Sequence, residues 1–239
     1  MELSDVERAL CAEVGIPEDV ALLLKETTGN DVERATRTHW DTRQPPFLPA
    51  LSSEGSPGSL DELRARLPSS YRAYHGNRRH RDGGRRGTEL LVTHDLDPLF
   101  VVRGRLTDGT NYSISHEMVL AKLEEWQSRF GIDIGGADHD FVHLRFERLP
   151  DDLMSLVEEI YWFCPDVAEP DGDEGDEERD PILFARAKQF PEPSPEFFER
   201  LNREHAEVMG EGWELESAPG LRYLAAGLER DHALYLWWD

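Results

Sequence analysis

Four stretches of the 239-residue sequence concentrate side chains able to do chemistry: Asp138-His139-Asp140 with His143, the run Phe163-Cys164-Pro165-Asp166, the acidic segment Asp166 to Asp180, and the terminal Trp237-Trp238-Asp239. Histidine beside carboxylate suits zinc or iron, provided the donors reach one side. In a strand, residues 139, 141 and 143 face one way and 138, 140 and 142 the other, so the donors cannot converge unless 138–140 lie in a turn. Cys164 would act as a nucleophile only as a thiolate, which a helix N-terminus or a nearby cation promotes. It falls instead at the expected C-terminal end of a helix among Glu158, Glu159 and Asp166, where the helix end is negative, so a buried structural thiol is the stronger reading. Asp166 reads as closing that helix end, with a catalytic carboxylate as the weaker alternative. Trp237 and Trp238 alternate across a strand, which predicts one in the core and one outward as a binding anchor. Asp239 could hold a cation, but a solvated chain end is the stronger reading. The acidic segment fails as a calcium loop, because counting from Glu169 the sixth position is Glu174 where the sharp turn needs glycine. No GxGxxG, phosphate loop, GxSxG or HExxH occurs. These residues give no catalytic assignment, no metal site and no cofactor. Asp140, Cys164, Pro165, Asp166, Trp237, Trp238 and Asp239 are the candidate binding residues.

The elements that must hold these groups are predicted as follows. Residues 1–42 read as a small three-helix bundle: Val6, Ala9 and Leu10 lie on the first helix, Val20, Leu23 and Leu24 on the second, and Val32, Ala35 and Trp40 on the third. Residues 43–88 read as a flexible linker rich in Pro, Gly and Arg, with one short helix at Leu60 to Leu67 capped by Ser59. A second domain spans 89–239. Its β-branched run Leu99 to Leu106 predicts a strand. A helix follows from Ser115 to Phe130 with Met118, Leu120, Leu123 and Trp126 buried, then strands at 132–134 and 141–146 and a helix ended by Pro165. Helices at 195–209 and 221–228 and a closing strand at 233–238 complete it. The order gives an α+β fold, a ferredoxin-like (split βαβ) open sandwich with an acidic, helical insertion.

Residues 111–150, the helix end EEIYWFCPD (158–166) and the terminal LYLWWD (234–239) together resemble an uncharacterised bacterial family catalogued as domain of unknown function 4253. The resemblance implies that about 89–168 and 220–239 form one domain, that Ala168 to Pro219 is inserted, and that no reaction can be carried over. At the N-terminus, GIPEDVALLLKETTGNDVERATRTHW resembles the ubiquitin-associated (UBA-like) helical module.

Charge narrows the function. The chain has 26 Lys plus Arg against 49 Asp plus Glu, a net −23. A protein that tracks nucleic-acid phosphates or lies on an anionic membrane needs the opposite sign, so neither partner is expected. No apolar run is long enough to span a bilayer and no signal peptide is visible, which predicts a cytoplasmic protein. The segment Arg64–Arg86 carries +7 and Asp166–Asp180 carries −8, leaving −22 on the other 201 residues. Three functions fit: a non-enzymatic, immunity- or inhibitor-like protein that engages a basic protein partner; a metal-dependent hydrolase using Asp140, Asp166 and Asp239; and a regulator in which the basic segment pairs with the acidic one. The first fits the composition best.

Overall fold

A computed structural model describes residues 1–36, 47–56, 58–78, 87–168, 180–209 and 219–238. The class is α+β. Seven strands form one mixed sheet in the order β1-β2-β4-β3-β5-β6-β7, where β1 is Glu33–Thr36, β2 Phe47–Gly55, β3 Arg72–Arg78, β4 Gly87–Thr93, β5 Ile132–Ala137, β6 Phe141–Phe146 and β7 Ala233–Trp237. β2 pairs antiparallel with β1 and β4, β4 antiparallel with β3, and β3 parallel with β5 at His75 and Gly136. The chain divides into two compact units, 1–124 with 133–144 and 125–132 with 145–239.

In the first unit, α1 (Asp5–Val14) starts from a capping box of Ser4 and Glu7 and stops at Gly15, whose φ of 76° is the left-handed conformation glycine adopts without steric cost. α2 (Glu18–Thr28) ends the same way at Gly29. Where the third helix is expected to begin, the chain forms β1 instead, and Trp40, its last expected residue, lies outside the described residues. Arg34 pairs with Leu51 of β2, and Glu7 accepts a bond from the Val32 amide, so tertiary pairing overrides the local helical pattern. The expected linker 43–88 also holds structure. It supplies β2, α3 (Ser59–Arg66) and β3, and α1, α2 and α3 pack Val14, Leu24 and Leu63 against Leu51, Leu90 and Val92. Ser59 does not cap α3; Gly58 holds the cap position and the Ser59 hydroxyl bonds Ser56.

The run Leu99 to Leu106 forms a helix, α4 (Phe100–Arg105), where a strand is expected. Asp97 accepts from the Leu99 amide at its start, and Phe100, Val101, Val102 and Arg105 are all buried, so the segment carries no one-sided period to separate helix from strand. In α5 (His116–Phe130) the buried stripe is Val119, Leu123, Trp126 and Phe130, while Met118 is 52% exposed.

The second unit contains the end of α5, α6 (Leu153–Phe163), a short 3₁₀ turn Pro165–Ala168, α7 (Pro181–Ala187), α8 (Pro195–Met209), α9 (Pro219–Asp231) and β7. The described part of the expected insertion packs onto this unit. Leu183 and Ala187 of α7 meet Ala226 of α9, and Glu158 of α6 accepts from the amide and hydroxyl of Ser194, which in turn caps α8.

Candidate functional site

The residues singled out near Cys164 and the C-terminus form a clasp in the second unit. α6 ends where Cys164 turns its side chain onto β7. The thiol donates to the Trp237 carbonyl at 3.0 Å, and the Trp237 amide donates back to the sulfur at 3.3 Å. The next residue repeats the link from the other side: the Trp238 indole donates to the Phe163 carbonyl at 3.1 Å, and its ring meets Phe163 edge-on at 5.5 Å. Cys164 and Trp238 are both buried. Burial, which penalises the thiolate, pushes the Cys164 thiol up to about 12, with the Asp166 charge acting in the same direction against two backbone bonds. The thiol is therefore neutral at physiological pH and closes a helix end onto a strand. Pro165 and Asp166 are half-buried in the 3₁₀ turn that follows. Trp237 is 39% exposed on the opposite side of the strand from Trp238, as the alternation predicts. Asp239 lies outside the described residues.

Trp126 anchors the same unit. Its indole donates to Glu159 at 2.7 Å, Arg129 pairs with Glu159 at 2.8 Å, and its ring packs edge-on against Phe146 and Phe163.

Asp140 belongs to the first unit. Residues 138–140 do form the turn between β5 and β6, the condition set for convergence, but they organise around His139. Its Nδ1 lies 3.3 Å from Asp138, which is fully buried, and its Nε2 lies 3.3 Å from Asp140. His143 turns instead to His75 of β3, Nδ1 to Nε2 at 2.9 Å. Among the described residues no group of three His, Cys, Asp or Glu side chains stands ready for a metal ion.

The imidazole pair depends on glycine. A Cβ on Gly136 would come within 2.3 Å of the His75 carbonyl oxygen, and one on Gly135 within 2.9 Å of His143 Nδ1, so only glycines at both positions let β3 and β6 bring the rings together over β5. Phe141 stacks on His75 at 5.9 Å. Burial, the neighbouring His143 and the positive Arg64 lower the His75 pKa to about 4. One neutral ring donates and the other accepts.

The first unit also buries a full ion pair. Arg105 of α4 bonds Glu89 of β4 and the Thr36 carbonyl of β1, and all of its surface is excluded from solvent. Burial pushes the Glu89 carboxyl up, Asp138 adds to that, and Arg105 with Ser52 pulls the other way. Thr107 donates to the Asp138 carbonyl at 2.6 Å, and His116 Nδ1 meets the Thr107 carbonyl at 2.9 Å.

His75, Glu89 and Arg105 are the interior polar residues that sequence reasoning missed. Each sits in an apolar or irregular run, and only the doubled glycine at 135–136 hinted at a close approach. Of the basic and acidic segments expected to pair, Arg64, Arg66 and Asp180 take partners outside both segments. Arg64 pairs with Asp133 at 2.8 Å, Arg66 with Glu26 at 2.9 Å, and Asp180 with Arg230 at 2.7 Å. Residues 79–86 and 169–179 lie outside the described residues.

A mixed seven-strand sheet with helices, closed at one end by a helix-to-strand clasp, defines an α+β protein. A family model described as Domain of unknown function (DUF4253) matches residues 90–239, and the chain belongs to that family. The matched segment begins within β4, so α1 to β3, with His75, precede it. No curated protein and no solved structure matches the chain.

Proposed function

We propose that the protein is a non-enzymatic binding protein whose second unit engages a basic protein partner, in the manner of an immunity or inhibitor protein. The observation that carries this reading is β7. Its inward residues Leu234, Leu236 and Trp238 are buried, while Tyr235 and Trp237 are 50% and 39% exposed on its other face. Exposed tryptophan and tyrosine supply large contact area at small entropic cost and are typical interface anchors. Around them the unit carries 26 acidic against 10 basic residues, a net −16 on 103 residues, against −7 on the 136 residues of the first unit. Such a field speeds encounter with a basic protein and repels an acidic one. Cys164 and Trp238, spent on the clasp, fit a scaffold for this surface better than a reaction centre.

The test is affinity capture with the full chain at low salt, followed by titration of the purified partner. The reading expects a basic partner, an affinity that falls about tenfold or more between roughly 50 and 500 mM salt, and a similar loss in Trp237→Ala. Binding indifferent to both salt and Trp237→Ala overturns it.

A further inference from the structure

A second surface lies in the first unit, on residues the partner reading does not use. Between the end of α3 and the start of β3 is an open groove of about 410 Å³, lined by Leu67, Ser69, Tyr71 and Arg72, with Arg64 and Asp133 as one wall. The two arginines differ. Arg64 is fully committed: its Nε donates to the Ala73 carbonyl at 3.0 Å and its two terminal nitrogens to Asp133 and the Ile134 carbonyl at 2.8 and 2.7 Å. Its charge is matched by Asp133 and its position is fixed, so it acts as a rigid wall. Arg72 is half-buried, its Nε is shielded from solvent, and that nitrogen has no hydrogen-bond partner among the described residues. No ion pair among the described residues includes it, although the chain carries 49 acidic side chains. The shielded Nε is out of reach of the groove, but no hydrogen bond or ion pair among the described residues engages the terminal nitrogens of Arg72 either, and these can offer an oxyanion two parallel bonds. Leu67 and the Tyr71 ring supply the apolar surface beside it.

We propose that this groove binds a small ligand that carries an oxyanion on an apolar body, with Arg72 holding the oxyanion and Leu67 and Tyr71 covering the body. The local charge decides the class: Arg64 and Asp133 cancel, Arg72 remains, and the groove is a cationic spot on an acidic protein. A macromolecular polyanion would be repelled by the surrounding surface, whereas a compact anion is screened from it within about one Debye length.

The experiment is calorimetric titration of the full chain with phenyl phosphate and with benzoate, phenol being the neutral control. At least one oxyanion is expected to bind in the millimolar range or tighter, with phenol at least about tenfold weaker. Binding of phenyl phosphate alone assigns a phosphate monoester, and of benzoate alone a carboxylate. Arg72→Gln is expected to weaken binding about tenfold or more. Ser69→Glu, at an exposed rim position, places a carboxylate within the groove as an internal competitor and is expected to weaken it similarly with an unchanged melting temperature. Should Arg72→Gln fail to fold, Ser69→Glu decides. Failure of both oxyanions to bind, or binding that both variants leave unchanged, overturns the proposal.

Discussion

The first unit holds two pairs of ionisable side chains that meet each other away from open solvent: Glu89 with Arg105, both buried, and His75 with His143, both half-buried. In the second unit, a thiol and an indole end their bonds on backbone carbonyls, at Trp237 and Phe163. The difference is in what each arrangement tolerates. A side chain bonded to backbone can lose its polar atom and strand one carbonyl. An ion pair that loses one member strands a charge, which costs several times more. The first unit is therefore the brittle one towards substitution and pH, and the second the more forgiving.

The comparison breaks first at Arg105. Arg105→Met leaves Glu89 buried without its cation and is expected to destabilise by about 3–5 kcal/mol in denaturant unfolding, with much of the loss recovered when Glu89→Gln is added. A double variant no better than the single one contradicts the pairing.

Acid provides the next test. His75 has a folded pKa of about 4 against an ordinary 6.5. As pH falls through 6.5 the unfolded chain takes the proton first, so stability drops from there to about pH 4, by about 3 kcal/mol in all. His75→Gln removes this component, so the difference between the two proteins' pH profiles isolates it. Glu7 acts lower. Burial alone would raise it, but bonds from Lys25, the Val32 amide and Ser4 outweigh that and hold it at about 2, so its contribution is present above 4.5 and lost between 4.5 and 2. An identical slope in His75→Gln between pH 6.5 and 4 contradicts the neutral pair.

A smaller effect belongs to the clasp. Trp238→Phe keeps a ring against Phe163 but removes the donor to its carbonyl, for an expected loss of about 1–2 kcal/mol. A loss as large as that of Arg105→Met would erase the distinction between the units. Smallest is a gain. A Cβ on Gly227 of α9 meets nothing within 4 Å, so Gly227→Ala should raise stability by about 0.5–1 kcal/mol through helix propensity. A thermal melt suffices to check it.

What the sequence revealed follows from which segments bury a single face. α5, β6, α6, α9 and β7 have a one-sided period and are legible; α4, buried everywhere but at Arg103, is not. The segment 43–88 misleads for a different reason. Pro49 lies inside β2, where a proline argues against a strand, yet the pairing of β1 with β2 shifts register between Arg34 and Thr36, an irregularity of the kind that accommodates a residue without an amide hydrogen. The Cys164 environment was readable, because its acidic neighbours and the helix end are local. His75 was not, since its partner is 68 residues away and strand pairing alone brings them together.

The chain's two thiols also serve as a pair of clocks. Cys11 lies in the first unit and Cys164 in the second, both buried, and burial raises both above the ordinary thiol value. A thiol-specific reagent added to the native protein can reach either sulfur only after the surrounding structure opens. The rate at which each becomes modified then reports how often its own unit breathes, with no probe introduced into the chain.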